Sequence, residues 1–252
     1  MKLGVIGVGH IAGSVLEGLL RAGIAPQGIL LSPRGHGPQL AERHGFTLAA
    51  GNAALVEACD LVLLAVRPAQ AAEALRGLPW QRRHVVASAC AGVTIAELEA
   101  VAAPARVARI MPITASELGA SPTVVFPVFP ELAPLLEAIG TPVPLSGEDQ
   151  FEVATVSAAV YGWVQDLIRT GTDWSARHGL DPRIARLLMA KTFVAAGRIQ
   201  GEQEAPMDDI LASLCTPGGI TEAGLNHLAG KGVGEAWEGA CDLVLRKLAG
   251  KA

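Results

Sequence analysis

The stretch "KLGVIGVGHIAGSVLEGLLRAG", Lys2 to Gly23, decides the fold. An apolar run from Leu3 to Ile6 reads as a strand, Gly7-Val8-Gly9-His10-Ile11-Ala12 as a tight turn, and Ile11, Val15, Leu19 and Leu20 then recur at helical spacing. Strand, glycine turn and helix in that order form a dinucleotide-binding pattern. Gly7 permits the turn, Gly9 lets a pyrophosphate approach the backbone, and the small Ala12 lets helix pack on strand. The helix start at His10 and Ile11 turns its free amides toward the anion.

Working outward, the next strand should end near "GILLSPRGHG", where an NAD-specific protein of this fold usually places an Asp or Glu for the ribose 2′-hydroxyl. None is present. Ser32 and Arg34 stand there instead, a hydroxyl and a guanidinium suited to a 2′-phosphate, with His36 nearby, so NADPH is expected over NADH. "CDLVLLAVRP" reads as a buried strand ending at Arg67-Pro68, and "HVVASACAGVT" as another ending at Ala91-Gly92. The Thr94 to Glu97 spacing matches a capping box, so a helix should start at once. "ARVARIMPIT" repeats the strand-then-turn pattern, and "SPTVVFPVFPELAP" with "TPVPLSGED" suggests final strands around one helix. The carboxyl ends of such strands, at Ala65-Val66-Arg67-Pro68, Ala91-Gly92 and Met111-Pro112, are where a nicotinamide would lie.

Past about Ser146 to Asp149 the alternation gives way to helices alone. One long apolar helix should run from Asp149 to near Gly179, and a second should carry Pro182 in its first turn. Shorter helices are expected over 206–214, 221–229 and 234–249. A helix apolar around most of its circumference must be buried on more than one side, and a homodimer of interlocked helices is the natural answer. The expected fold class is therefore α/β: an N-terminal Rossmann-like doubly wound sheet over residues 1–148, then an all-helical dimerisation and substrate-binding domain over 149–252.

Composition excludes several classes. At 252 residues with half hydrophobic and a formal charge of −4, the chain has no basic stretch that could track a nucleic-acid backbone. Four scattered cysteines without a CxxC pair, and six histidines without metal spacing, predict no metal site and reduced thiols. The first strand leaves no room for a signal segment ahead of it, and no apolar run reaches membrane-spanning length, so a cytoplasmic location is expected.

One short stretch of the helical half is unlike its surroundings: "TPGGIT", Thr216 to Thr221. Pro217 fixes one φ, while Gly218 and Gly219 can turn successive N–H groups to one side and form a nest for an anion. Thr221 can cap the helix that follows, with Glu222 in its first turn.

Together these residues resemble the pyrroline-5-carboxylate reductases, which reduce a cyclic imine to proline. The resemblance runs nearly the whole chain: the N-terminal GxGxxA, "LAVRP" for LAVKP, "SACAGVT" for S-x-x-A-G-V, "RIMPIT" for R-x-M-P-N-T, "HGLDPRIA" for G-L-x-x-x-x-A and "TPGGIT" for S-P-G-G-T-T. It implies that the last loop holds the substrate carboxylate through backbone amides and hydroxyls of Thr216, Gly218, Gly219, Ile220 and Thr221. Hydride transfer from NADPH to the carbon of a small carboxylate-bearing imine is then the expected reaction, in a homodimer or a higher oligomer of dimers. Thr221 is the first candidate for a catalytic contact and Ser157 the second, although a serine in an apolar helix commonly bonds back to a carbonyl.

The chain departs from the family where S-G-S-G-P-A-Y is replaced by Ser157-Ala158-Ala159-Val160-Tyr161-Gly162-Trp163, which should reshape the floor of a substrate pocket. The family's Asn is Ile113, its Lys is Arg67, and Lys191 stands where a neutral residue is common. Two alternatives stay open on these grounds: a reductase of another imine or of a 2-keto acid, with Lys191 as proton donor, and a non-catalytic dinucleotide-binding homologue.

Overall fold

Fully apolar runs flanked by glycines or small residues become the inner strands of a sheet, because only a strand covered on both faces can bury every side chain it carries. In the computed structural model, which describes residues 2–250, these are β1 (Leu3–Ile6), β2 (Ile29–Leu31), β4 (Leu61–Leu64) and β5 (Val85–Ser88), with β1, β4 and β5 buried at every position. β3 (Thr47–Leu48) forms one edge; β6 (Arg106–Met111), β7 (Ser121–Phe126) and β8 (Gly140–Pro144) complete the other side. The order β3-β2-β1-β4-β5-β6-β7-β8 makes β1, next to β4, the point where a doubly wound sheet reverses its direction. Pairing is parallel except between β6 and β7, after which β7 and β8 run the opposite way.

Alternating side chains divide the core in two. Leu3, Val5, Leu61, Leu63, Val85 and Ala87 pack on one face with helices α1 (His10–Arg21) and α6 (Ala133–Ile139). Ile6, Val62, Leu64 and Val86 pack on the other with α3 (Asn52–Ala58), α4 (Ala71–Leu75) and α5 (Ile95–Ala102); α2 (Gly37–His44) follows β2. Thr94 caps α5 in the expected box, its hydroxyl accepting from the Glu97 amide while the Glu97 carboxylate accepts from the Thr94 amide at 2.8 Å.

Two strands stop earlier than the sequence suggests. β4 ends at Leu64 and not at Arg67-Pro68, because Pro68 has no N–H and opens a 3₁₀ turn, Pro68–Gln70, capped by Arg67. β5 ends at Ser88, with Cys90 to Val93 turning beyond it ahead of α5.

The helical half contains α7 (Phe151–Arg177), α8 (Pro182–Glu202), α9 (Met207–Ser213), α10 (Ile220–Gly230) and α11 (Val233–Leu248). Pro182 opens α8 and the Asp181 carboxylate caps it. The chain divides into two compact units, one of residues up to Ala158 with those from Lys247 onward, the other Ala159–Arg246. Within the second, Trp163 meets Trp237 edge to face at 5.3 Å and Gly171 faces Met189, yet Leu187, Leu188, Val194 and Leu243 are each more than half exposed. No helix among the described residues is long and apolar enough to cross a membrane.

Candidate functional site

The first cluster lies at the carboxyl ends of β1, β2, β4, β5 and β6. Gly7 has φ +90°, and a Cβ there would lie 2.7 Å from the Ala65 carbonyl and 2.6 Å from Val66, so no other residue fits between β1 and the end of β4. Gly9 caps α1 with neither a side-chain cap nor an acidic residue in the first turn, which leaves the helix amides open to an anion. A Cβ built on Gly9 would meet nothing within 4 Å, so the approach is clear. Ala12 is fully buried beneath. Beside this helix start lies a cavity of about 380 Å³, lined by Gly9, His10, Gly13, His36, Gln39 and Glu117 among others. His10 and His36 stand edge to face there, 5.9 Å apart.

The turn after β2 is tied to the same loop. The His36 amide donates to the Val8 carbonyl at 3.0 Å and the Ser32 amide to Val5 at 2.9 Å. Ser32 is buried and Arg34 exposed, with no carboxylate between residues 32 and 37. The sequence-derived set Gly7, Gly9, His10, Ile11, Ala12, Ser32 and Arg34 is thus brought to one rim of the sheet.

The other strand ends converge as well. The Ala65 amide donates to Ile6 and the Ala89 amide to Leu64, both at 2.8 Å, and the Cys90 thiol points at the Val66 carbonyl at 3.4 Å. Burial pushes the Cys90 thiol up, so it remains protonated and serves as filling. Arg67, Pro68 and Gly92 are exposed, and Ala91 is half-buried. Met111 closes β6 and Pro112 is buried behind it. Ile113, at the position of the family's Asn, donates its amide to the Ser121 hydroxyl at 3.0 Å.

In the second unit, Thr216 to Gly219 form a type II turn: the Gly219 amide donates to the Thr216 carbonyl at 2.8 Å, Pro217 takes the second place and Gly218 the third with φ +73°. The expectation that Thr221 caps α10 is corrected here. Gly219 is the cap, without a side-chain bond, because the tight turn lets the helix begin at Ile220 and puts Thr221 inside its first turn. Glu222 reaches back, its carboxylate accepting from the Gly218 amide at 2.6 Å. Thr216, Thr221 and Ile220 are exposed, and the Thr216 hydroxyl lies against the Cα of Gly219.

Ser157 belongs to the first unit, and its hydroxyl donates to the Ala154 carbonyl at 2.7 Å, the back-bonded state common for helical serines. Lys191 is exposed on α8. One residue quoted in the "RIMPIT" match receives no role from sequence reading. Arg109, buried in β6, binds Glu148 at 3.2 Å and Glu152 at 2.5 Å; a charged residue inside an apolar strand was the available signal.

Residues 148–249 match the family model described as pyrroline-5-carboxylate reductase dimerisation, and residues 2–92 the one described as NADP oxidoreductase, coenzyme F420-dependent. The chain is 30% identical over 254 residues to pyrroline-5-carboxylate reductase 1 of Bacillus spizizenii, covering 93% of this chain and 84% of that protein. Among solved structures it resembles 1-pyrroline-5-carboxylate reductase of Streptococcus pyogenes, with TM-score 0.85 at 23% identity over 99% of this chain and 98% of that one. It also resembles the Plasmodium falciparum pyrroline carboxylate reductase with NADP bound, with TM-score 0.87 at 20% identity over 100% and 98%. At these identities the structural likeness concerns the fold.

Proposed function

Because the chain belongs to the pyrroline-5-carboxylate reductase family, we propose that it is an NADPH-dependent oxidoreductase that reduces 1-pyrroline-5-carboxylate, a cyclic imino acid, to proline. The observation that carries this reading is the turn at 216–221, where a main-chain amide already binds a carboxylate, that of Glu222. A main-chain donor at the start of a helix suits the one anionic group of a small imino acid.

The residues at the rim of the sheet fit a dinucleotide. The open amides of α1 suit its diphosphate, with Gly7, Gly9, His10, Ile11 and Ala12 around it. Ser32 and Arg34, without a competing carboxylate, suit a 2′-phosphate and favour NADPH over NADH. Ala65 to Pro68, Ala91-Gly92 and Met111-Pro112 take the nicotinamide end. When bound, the dinucleotide supplies a hydride to the carbon of the C=N bond, whose π electrons pass to nitrogen, so a protonated imine ends as a neutral secondary amine.

A protonated imine already carries positive charge, so the protein need not donate a proton in the chemical step. Its residues orient and anchor, which is catalysis by proximity. Thr216, Thr221 and the amides of Gly218 and Ile220 hold the carboxylate, while the Gly219 amide stays on the Thr216 carbonyl and shapes the turn. Ser157 contributes only if its hydroxyl leaves the Ala154 carbonyl.

We assign dinucleotide binding to residues 1–148 and dimerisation with substrate binding to 149–252. The apolar side chains left open on α7 to α11, such as Leu187 at 58% and Val194 at 56%, support a homodimer through these helices, in keeping with the dimerisation domain matched there. The four free thiols accord with a cytoplasmic location. Steady-state turnover with NADPH tests the reading: 1-pyrroline-5-carboxylate should be reduced and 2-keto acids should not. Turnover of 2-keto acids alone, or of neither class, would overturn it.

A further inference from the structure

Arg109 joins three segments that the fold otherwise leaves to separate elements. Its side chain is 2% exposed. One guanidinium nitrogen donates to Glu148 at 3.2 Å, another to Glu152 at 2.5 Å, and the guanidinium carbon lies 4.0 Å from the centre of the buried Phe151 ring. The Glu148 oxygen that meets Arg109 also accepts from the Ile95 amide, at 2.8 Å. Ile95 opens α5 directly after the turn carrying Ala91-Gly92. Arg109 itself stands two residues before Met111 on β6. The end of β6 and the root of α7 thus meet on one planar cation, and the start of α5 is tied to it through Glu148.

This arrangement is poorly suited to stability alone. Arg109 Nε and Glu152 Oε2 are buried without partners, and removing a charge from water is offset only by complete pairing. What the cluster does supply is geometry, since a guanidinium fork accepts partners only in fixed directions.

We propose that Arg109 is a positioning residue for hydride transfer: it fixes the Ala91-Gly92 turn and the Met111-Pro112 segment relative to each other and to the root of α7. This rests on the reading that those two segments carry the nicotinamide end of the cofactor. Arg109 acts through Glu148 and through the strand it belongs to. The diphosphate loop at 7–12 has no part in the cluster.

The test uses the full chain with R109M, R109K and E148A, the last chosen because Ala removes the one oxygen that accepts from both Arg109 and Ile95. Amide hydrogen exchange without cofactor should quicken about tenfold or more over residues 91–96 in R109M and E148A, while residues 3–12 exchange as before. NADPH affinity, followed by its fluorescence, should stay within about twofold. In turnover, kcat should fall about tenfold or more per folded site and the deuterium isotope effect on kcat with 4-deuterated NADPH should rise, with R109K recovering only part. Unchanged exchange at 91–96, or unchanged kcat and isotope effect in folded R109M and E148A, overturns the proposal. If the unaltered protein reduces no imine, the functional reading fails, and the exchange pattern alone still decides whether Arg109 holds these segments.

Discussion

The Gly218 amide donates to the Glu222 carboxylate at 2.6 Å across the turn that opens α10, so this amide faces a position where a carboxylate can sit. Thr221 lies in the same helical turn with its side chain exposed. Replacing Thr221 with Ala removes one hydroxyl from a charged acceptor and should lower kcat/KM by a factor equivalent to about 1.5–3 kcal/mol. NADPH affinity should be nearly unchanged. Unaltered turnover of every imino acid that the protein reduces would contradict a substrate role for Thr221.

Arg34 is the exposed cation of a turn pinned to the Gly7–Ala12 loop, our proposed diphosphate site, through the His36 amide. Arg34→Ala should weaken NADPH by about 1.5–3 kcal/mol and leave NADH nearly unaffected, as read by calorimetric titration. Equal affinity of the unaltered protein for both dinucleotides would remove the basis of the preference.

The end of β1 tolerates no side chain. A Gly7→Ala protein must place a Cβ 2.7 Å from the Ala65 carbonyl at φ +90°. Left-handed backbone strain alone costs about 1–2 kcal/mol, and overpacking a further 1–3 kcal/mol or so. Urea unfolding should show the loss, and dinucleotide binding should fail with it. A variant as stable as its parent would show that this loop relaxes.

His84 supplies a pH dependence. It is fully buried, its Nδ1 accepts from the Gln81 amide and its Nε2 has no partner, and burial with the nearby Arg83 holds its pKa below the ordinary 6.5. The unfolded chain therefore binds the proton more readily than the folded one. The stabilisation is complete above the unfolded value and is lost as pH falls below it toward the folded pKa. Urea midpoints taken from pH 7.5 to 5.5 should decline, and His84→Gln should flatten that decline. An identical slope in both proteins would place the acid sensitivity elsewhere.

The exposed faces of α7 and α8 make assembly measurable. Sedimentation at micromolar concentration should show a dimer, and Leu187→Glu together with Leu188→Glu should dissociate it, since two buried charges would replace two apolar contacts. A stable folded monomer of the unaltered chain would contradict this.

How much of this was legible in the sequence depended on distance along the chain. The dinucleotide loop, the Thr94 capping box and the Pro-Gly-Gly turn are local, so spacing alone reveals them. Strand ends were overrun at Arg67 because extended residues continue past the last ladder bond, and at Gly92 because the small apolar residues after Ser88 enter a turn, with Gly92 at φ +72°. Thr221 was misjudged as a cap because Gly219 caps α10 with no side chain to announce it. The role of Arg109 was hidden for a different reason: its carboxylate partners lie 39 and 43 residues away, and only the folded sheet brings them to the strand.

The central claim is that this chain reduces an imine held by its carboxylate. Comparing kcat/KM for 1-pyrroline-5-carboxylate with that for 1-pyrroline, the same ring without the carboxylate, tests it most directly, with NADPH saturating. Loss of at least two charge-assisted contacts predicts a preference of about a hundredfold or more for the carboxylated ring. Equal specificity constants for the two would contradict the account, because the turn at 216–221 would then hold nothing that the reaction needs.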